Sequence, residues 1–230
     1  MNNDEVLTVA IDGPSASGKS TVSRQVAKRL GFVYIDSGSL YRGVTWKALR
    51  SGVSVKDGPA VTEMVLKAAW DFFLEERSVS FTIDGDYPGQ DLRSEPVREN
   101  VADIAAIADV RSFIVTRLRE MTHFGSLVVE GRDIGSVVFP ESPYKFYIDA
   151  DPEERARRRC EELIQTEGQG DVGDVLNSLQ RRDKKDSSRK TAPLQIALGA
   201  IVINTTRMSI EEVVDEVVRI MTAAGAQPHG

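Results

Sequence analysis

The sequence carries a single cysteine, Cys160, in 230 residues. That excludes an internal disulfide and a cysteine metal cluster, and it suits a reducing compartment. Histidine is almost as scarce, and the two present, His123 and His229, each read as surface residues rather than catalytic bases. No apolar stretch approaches the length that crosses a bilayer. The opening Met1-Asn2-Asn3-Asp4-Glu5 has no basic region and no apolar signal core, so export is not expected and a cytoplasmic location is. Positive charge is not in excess. The net charge of −6 argues against a nucleic-acid or anionic-membrane partner, so any phosphate site must be a local basic cluster. Internal repeats and long low-complexity segments are lacking, and only Gly225 to Gly230 reads as a loose tail. What remains is ordinary: 41% hydrophobic and 28% charged residues fit one globular domain, with room for an insertion.

The chain is organised around its start. Val6 to Ile11 is an apolar run broken only by Thr8, short enough for a strand buried on both faces. Gly13-Pro14-Ser15-Ala16-Ser17-Gly18-Lys19-Ser20-Thr21 follows, with the spacing of a phosphate loop. Val22, Val26 and Leu30 then recur at helical spacing until Gly31. The glycines let backbone N–H groups turn inward on a phosphate, and the helix N-terminus adds partial positive charge there. Lys19 can reach the outer phosphates and Ser20 can bind Mg2+.

Four further short apolar runs predict strands: Val33 to Ile35, Leu127 to Val129, Lys145 to Ile148 and Ile201 to Ile203. Alternating with helical patterns, they predict an α/β fold with a five-stranded parallel sheet wound with helices. Between the second and third, residues 59–109 carry half-exposed β signals. Ser78 to Ile83 alternates polar and apolar, Asp84-Gly85 marks a turn, and Gln90 to Arg93 is expected as a return strand. This stretch reads as an insertion on a core of 5–58 and 110–225. Ser37 or Ser39 is expected to cap the helix after the second strand. Asp151-Pro152-Glu153-Glu154 reads as a capped helix start with a capping-box acid. Arg155, Arg157, Arg158 and Arg159 follow, either a solvated face pairing with Glu161 and Glu162 or cations over a nucleotide. Gln165 to Gly173 looks mobile, and Arg181 to Lys190 is the most basic stretch. Ser209-x-x-Glu212 caps a last helix.

In open α/β sheets ligands bind at the carboxyl ends of the strands. Asp36 stands at one such end, opening Asp36-Ser37-Gly38-x-x-Tyr41-Arg42, and Arg132-Asp133 follows another. Arg42, Arg111, Arg132, Arg182 and Arg189 are more separated cations than one nucleotide requires, which suggests a second anionic substrate. No Asn-Lys-x-Asp guanine-reading motif is present. No cysteine, histidine or serine nucleophile has an obvious partner. Direct phosphoryl transfer needs no covalent intermediate, only two aligned substrates, excluded water and neutralised charge. A small-molecule kinase fits best. A kinase for UMP or shikimate, or a non-catalytic nucleotide-binding module, are the alternatives.

The sequence resembles the bacterial (d)CMP kinases over nearly its whole length. The resemblance rests on Ile11 to Thr21, Asp36 to Arg42, Glu130-Gly-Arg-Asp-Ile-Gly-Ser-Val-Val-Phe-Pro140, Arg182-Asp-x-x-Asp186-x-x-Arg189 and Ala192-Pro193-Leu194. It implies transfer of the ATP γ-phosphoryl group to CMP or dCMP with Mg2+, for which Ser20 and Asp36 are the candidate ligands. It implies that Gly13 to Thr21 hold ATP. Lys19, Arg132, Arg182 and Arg189 are then the catalytic cations. Ser37, Arg42, Arg132 and Arg182 would surround the monophosphate, with Tyr41 in the same stretch and Arg189 nearby. Asp186 would hold the sugar hydroxyls, and Arg111 and Asp133 would read cytosine. The insertion becomes a monophosphate-binding subdomain and residues 155–192 a lid. A monomer acting on small molecules is expected. The chain departs from its relatives at Ala102, where they usually carry a serine that helps bind the base. Asp103 is next along, but one position turns a helical side chain by about 100°.

Overall fold

The computed structural model describes residues 6–189 and 191–226. The readings made on Met1 to Glu5, on Lys190 and on the end of the tail lie outside them. The expected strands are present as β1 (Thr8–Asp12), β2 (Val33–Asp36), β5 (Leu127–Gly131), β6 (Tyr144–Asp149) and β7 (Ile201–Asn204). They pair in parallel in the order β2-β5-β1-β6-β7. Alternate residues of β1 face opposite sides, as the pleat requires. Ala10 packs with the cluster around Ile35, Leu40, Val44, Ile114 and Val129. Val9 and Ile11 pack with Val22, Val26, Val213 and Val217 on the other side. Helices α1 (Lys19–Leu30) and α8 (Ile210–Ala223) cover that second face. The first is covered by α2 (Ser37–Arg50), α3 (Gly58–Lys67), α4 (Glu95–Ile104) and α5 (Ala108–Glu120).

The sheet is larger than the sequence suggests, with seven strands rather than five. Ser78–Ile83 is a strand, β4, but its antiparallel partner is β3 (Trp70–Glu75), which precedes it. The expected return strand is instead a 3-10 turn, Gly89–Arg93, tied to α2 by the Trp46 indole N–H donating to Asp91. The hairpin turn is Glu76-Arg77, with φ of 48° and 62°. Two-residue hairpin turns need positive φ, which asparagine and glycine usually signal. Here glutamate and arginine adopt it, so the turn left no mark in the sequence. The hairpin is held by Trp70 against Phe81 and Phe113, with ring centroids 5.4 and 5.6 Å apart. Through Tyr34 and Ser78 it joins β2 and extends the sheet.

Helices α6 (Pro152–Glu167) and α7 (Val172–Ser187) form a small core of their own from Ala156, Cys160, Val175 and Leu179. Within 165–173, read as mobile, residues 165–167 and 172–173 are helical and 168–171 connect the two helices. Two caps differ from expectation. Asp36, not Ser37 or Ser39, caps α2, accepting the Ser39 N–H at 3.2 Å. At α6 the Asp151 carboxylate makes no capping bond, and Glu154 pairs with Arg157 and Arg158 instead of closing a capping box. The Ser209–Glu212 capping box of α8 forms as read.

Candidate active site

The parallel register brings three acidic residues to one edge of the sheet. Asp12 ends β1 opposite Gly131, and Asp36 ends β2 opposite Glu130. The phosphate loop leaves β1 at Gly13, whose φ is 153° and where a Cβ would stand 2.1 Å from the Ile148 carbonyl oxygen, so only glycine fits. Lys19 folds back over the loop and donates to the Pro14 carbonyl at 2.9 Å. Burial, then the neighbouring Arg132 guanidinium, push its ammonium down to about 7. Ser20 donates to Glu130 at 2.8 Å, and Tyr34 donates to the other oxygen of the same carboxylate at 2.6 Å. Burial and the nearby Asp36 raise the Glu130 carboxyl above its ordinary range. Burial alone would raise Asp36 as well, but Arg42, 2.5 Å away, and Lys19 together hold it low.

A second cluster faces this loop. Ser37 is buried beside Gly131, where a Cβ would come within 2.6 Å of its hydroxyl oxygen. Arg132 donates to Asp186 at 3.0 Å, and Arg189 stands 3.8 Å from the same carboxylate. Arg182 lies among Arg132, Asp186, Arg42 and Asp183; burial, then Arg132, lower it to about 10, so it stays charged at neutral pH. Deeper in, the Arg111 guanidinium pairs with Asp133, stacks 5.4 Å over the Tyr41 ring and donates to the Ala105 carbonyl at 3.2 Å. Asp103 does not turn toward this pair: it binds Lys185 of α7 at 2.5 Å.

The phosphate loop, Asp36, Arg42, Arg111, Arg132, Asp133, Arg182, Asp186 and Arg189 thus form one connected cluster. Four buried polar atoms in it, Ser17 Oγ, Arg42 Nε, Arg111 Nε and Arg189 Nη2, have no hydrogen-bond partner among the described residues. An unmet buried donor costs about 1–3 kcal/mol, so three guanidinium donors left open are suited to an anionic ligand.

The two readings of the arginine-rich helix divide by residue. Arg157 pairs with Glu154 and Glu161, and Arg159 with Glu162, on the outer face. Arg155 and Arg158 turn inward. Arg155 donates to the Ser15 carbonyl at 3.0 Å and to Asp183 at 2.5 Å, while Arg158 donates to the Thr205 carbonyl at 2.7 Å. Sequence reasoning missed Glu130, Asp12, Tyr34, Asp183 and Thr205. Asp12 accepts two backbone N–H groups after Asp133, and burial lifts its carboxyl to about 6 against their pull. One signal was available: Asp12, Asp36 and Glu130 are each a carboxylate closing an apolar strand, and only Asp36 was singled out.

A doubly wound α/β fold, a phosphate loop at the middle strand of its parallel core and a second cationic cluster beside it define a phosphate-loop protein. The cytidylate kinase family model matches residues 9–223. A cytidylate kinase of Caldanaerobacter subterraneus is 41% identical over 211 residues, covering 92% of each chain. One from Geobacillus kaustophilus is 38% identical, covering 94% of this chain and 96% of its own. The chain belongs to the cytidylate kinase family. A solved structure of an uncharacterized protein from Eubacterium ventriosum shares the fold at 12% identity, with a TM-score of 0.51 over 94% of this chain and 99% of that one.

Proposed function

We propose that the protein transfers the γ-phosphoryl group of ATP to CMP or dCMP, giving ADP and CDP or dCDP. The observation that carries this reading is the buried Arg111–Asp133 pair beside the cationic cluster of Arg42, Arg132, Arg182 and Arg189 that adjoins Lys19. Gly13 to Thr21 hold the triphosphate of ATP, with the free backbone N–H groups of the loop as donors; Pro14 has none and the Ser15 N–H goes to Asp183. Lys19 neutralises charge that develops between the β- and γ-phosphates. An oxygen of the monophosphate attacks the γ-phosphorus while the bond to the β–γ bridging oxygen breaks. Arg132, Arg182 and Arg189 stabilise the group in transit, and Ser37 and Arg42 hold the acceptor phosphate. Asp186 accepts from the sugar hydroxyls, and Tyr41 supports Arg111 beneath the base.

Cytosine presents an amino donor at N4 and acceptors at N3 and O2. Asp133 accepts from the first and Arg111 donates to the others. Uracil would set O4 against the carboxylate and N3–H against the guanidinium. Mg2+ suits the oxygen donors here: Ser20 with Glu130, and Asp36 nearby, would hold it, and it would neutralise phosphate charge. Both carboxylates already accept from protein on each oxygen, Asp36 from the Ser39 N–H and Arg42 and Glu130 from Ser20 and Tyr34, so the metal would displace one of these bonds.

Residues 59–109 serve as the monophosphate-binding subdomain and 155–192 as a lid, consistent with the separate small core of α6 and α7. A closed lid keeps water from the γ-phosphate. Coupled ADP release, screened over nucleoside monophosphates, tests the reading. CMP and dCMP should exceed UMP in kcat/KM by at least about a hundredfold, within reach of hydrogen-bond discrimination. Turnover of UMP as fast as CMP would remove the cytosine assignment, and turnover independent of any monophosphate would remove the kinase reading.

A further inference from the structure

Asp133 opens a short helical turn, Ile134–Val138, yet its carboxylate makes no capping bond to that turn. An aspartate at such a position ordinarily turns its side chain onto the amides that follow it. Here the first two of those amides are already taken. Asp12, one residue before the phosphate loop, accepts the Ile134 N–H at 2.8 Å on one oxygen and the Gly135 N–H at 2.8 Å on the other. The Asp12 side chain is buried, so water offers these amides no ready alternative. Asp133 is left to face Arg111.

We propose that Asp12 is a positioning residue for base recognition. By capping the turn in place of Asp133, it releases the Asp133 carboxylate to pair with Arg111 and to meet the cytosine amino group. The proposal deepens the cytidylate kinase reading and rests on it for the substrate. It accounts for a buried carboxylate at the foot of the phosphate loop whose hydrogen bonds lie on the monophosphate side. Losing that carboxylate leaves two buried amides unmet, which loosens the turn that carries Asp133. Arg111 would then lose its partner, and the base would meet a misplaced pair. Arg132, adjacent to Asp133, would shift with the turn.

Asp12→Asn tests this. The amide keeps one acceptor and sets an NH2 against the other N–H. KM for CMP should rise at least about tenfold, since an ångström of misplacement costs up to about a hundredfold. KM for ATP should change less than about threefold on the same scale. The preference for CMP over UMP should shrink. Equal rises in both KM values, or an unchanged CMP:UMP ratio, would overturn the proposal and leave Asp12 a support of the phosphate loop. Amide hydrogen exchange in the unliganded protein gives a second readout that needs no substrate. Exchange at Ile134 and Gly135 should quicken in Asp12→Asn and stay unchanged in Asp133→Asn. The reverse pattern would make Asp133 the cap and overturn the assignment, and if Asp12→Asn failed to fold, quickened exchange in Asp133→Asn alone would do the same. If the unaltered protein did not phosphorylate CMP, the kinase reading would fall, while the exchange pattern would still decide which aspartate caps the turn.

Discussion

The guanidinium of Arg111 on α5 and the carboxylate of Asp133 after β5 form an ion pair with side chains only 3% and 6% exposed. Each compensates the other's charge where water cannot. The two groups that suit cytosine are thus already facing each other before any base arrives, and the pair holds α5 against the loop after β5.

Such a pair is worth more intact than its parts suggest. Removing one partner strands a buried charge, which costs about 3–5 kcal/mol. Arg111→Ala and Asp133→Ala should each lower unfolding free energy by that amount in urea titrations. The double variant should lose less than the sum of the two by at least about 1 kcal/mol, because residues in contact couple. Strict additivity would mean that the two side chains do not support each other in solution.

Lys19 supplies a pH-dependent prediction. Unliganded, it is pushed down to about 7 by burial and by Arg132, with Arg182 adding to this and Glu130 and Asp36 opposing it. A triphosphate brings negative charge and raises it again. At pH 8 the free lysine is largely neutral and the liganded one charged, so ATP binding takes up protons, approaching about one per ATP. Calorimetry in buffers of different ionisation enthalpy reads this uptake directly. Lys19→Met should abolish it and lower kcat by at least about a hundredfold, the effect of losing one charge-stabilising group. Net proton release at pH 8 would contradict the assignment.

Much of this was legible in the sequence because buried parallel strands are short, apolar and punctuated by the residues that do chemistry. The phosphate loop, the five parallel core strands and the cationic stations all followed from that pattern, but their order in the sheet did not. What escaped notice depended on contacts across long separations. The β3–β4 hairpin was hidden because Glu76 and Arg77 adopt positive φ without the usual turn residues. The division of the arginine helix was invisible because Arg155 and Arg157 differ only in which side of α6 they occupy. Asp12 pairs with amides 122 and 123 positions away, a distance that no local pattern spans.

Asp186 receives Arg132 at 3.0 Å and has Arg189 at 3.8 Å, which fixes its carboxylate between two cations. If it also accepts from the sugar, Asp186→Ala should weaken CMP more than dCMP. One charged hydrogen bond is worth roughly 1.5–3 kcal/mol, so the CMP:dCMP ratio of kcat/KM should fall by about ten- to a hundredfold. Because both substrates meet the same variant, a folding defect cancels from the ratio. Equal losses would assign Asp186 to holding Arg132 and Arg189 alone.

The last prediction concerns the contact between the helical pair α6–α7 and the phosphate loop. Asp183 accepts the Ser15 N–H at 3.3 Å and the Arg155 guanidinium at 2.5 Å, and Arg155 also donates to the Ser15 carbonyl at 3.0 Å. One residue from each of α6 and α7 thus clasps Ser15, Arg155 at its C=O and Asp183 at its N–H, in the loop that would hold ATP. If α6 and α7 close over the nucleotide, breaking the clasp should admit water to the γ-phosphate. Asp183→Ala and Arg155→Ala should each raise ATP hydrolysis without CMP relative to CMP-dependent transfer, because a loosened lid no longer sequesters the reaction. The two effects should not add, since each variant removes the same contact; coupling of about 0.5–3 kcal/mol is usual for such neighbours. The measurement is ADP release with and without CMP on the two single variants and the double. An unchanged ratio of hydrolysis to transfer would reduce the clasp to ordinary packing between the lid and the loop.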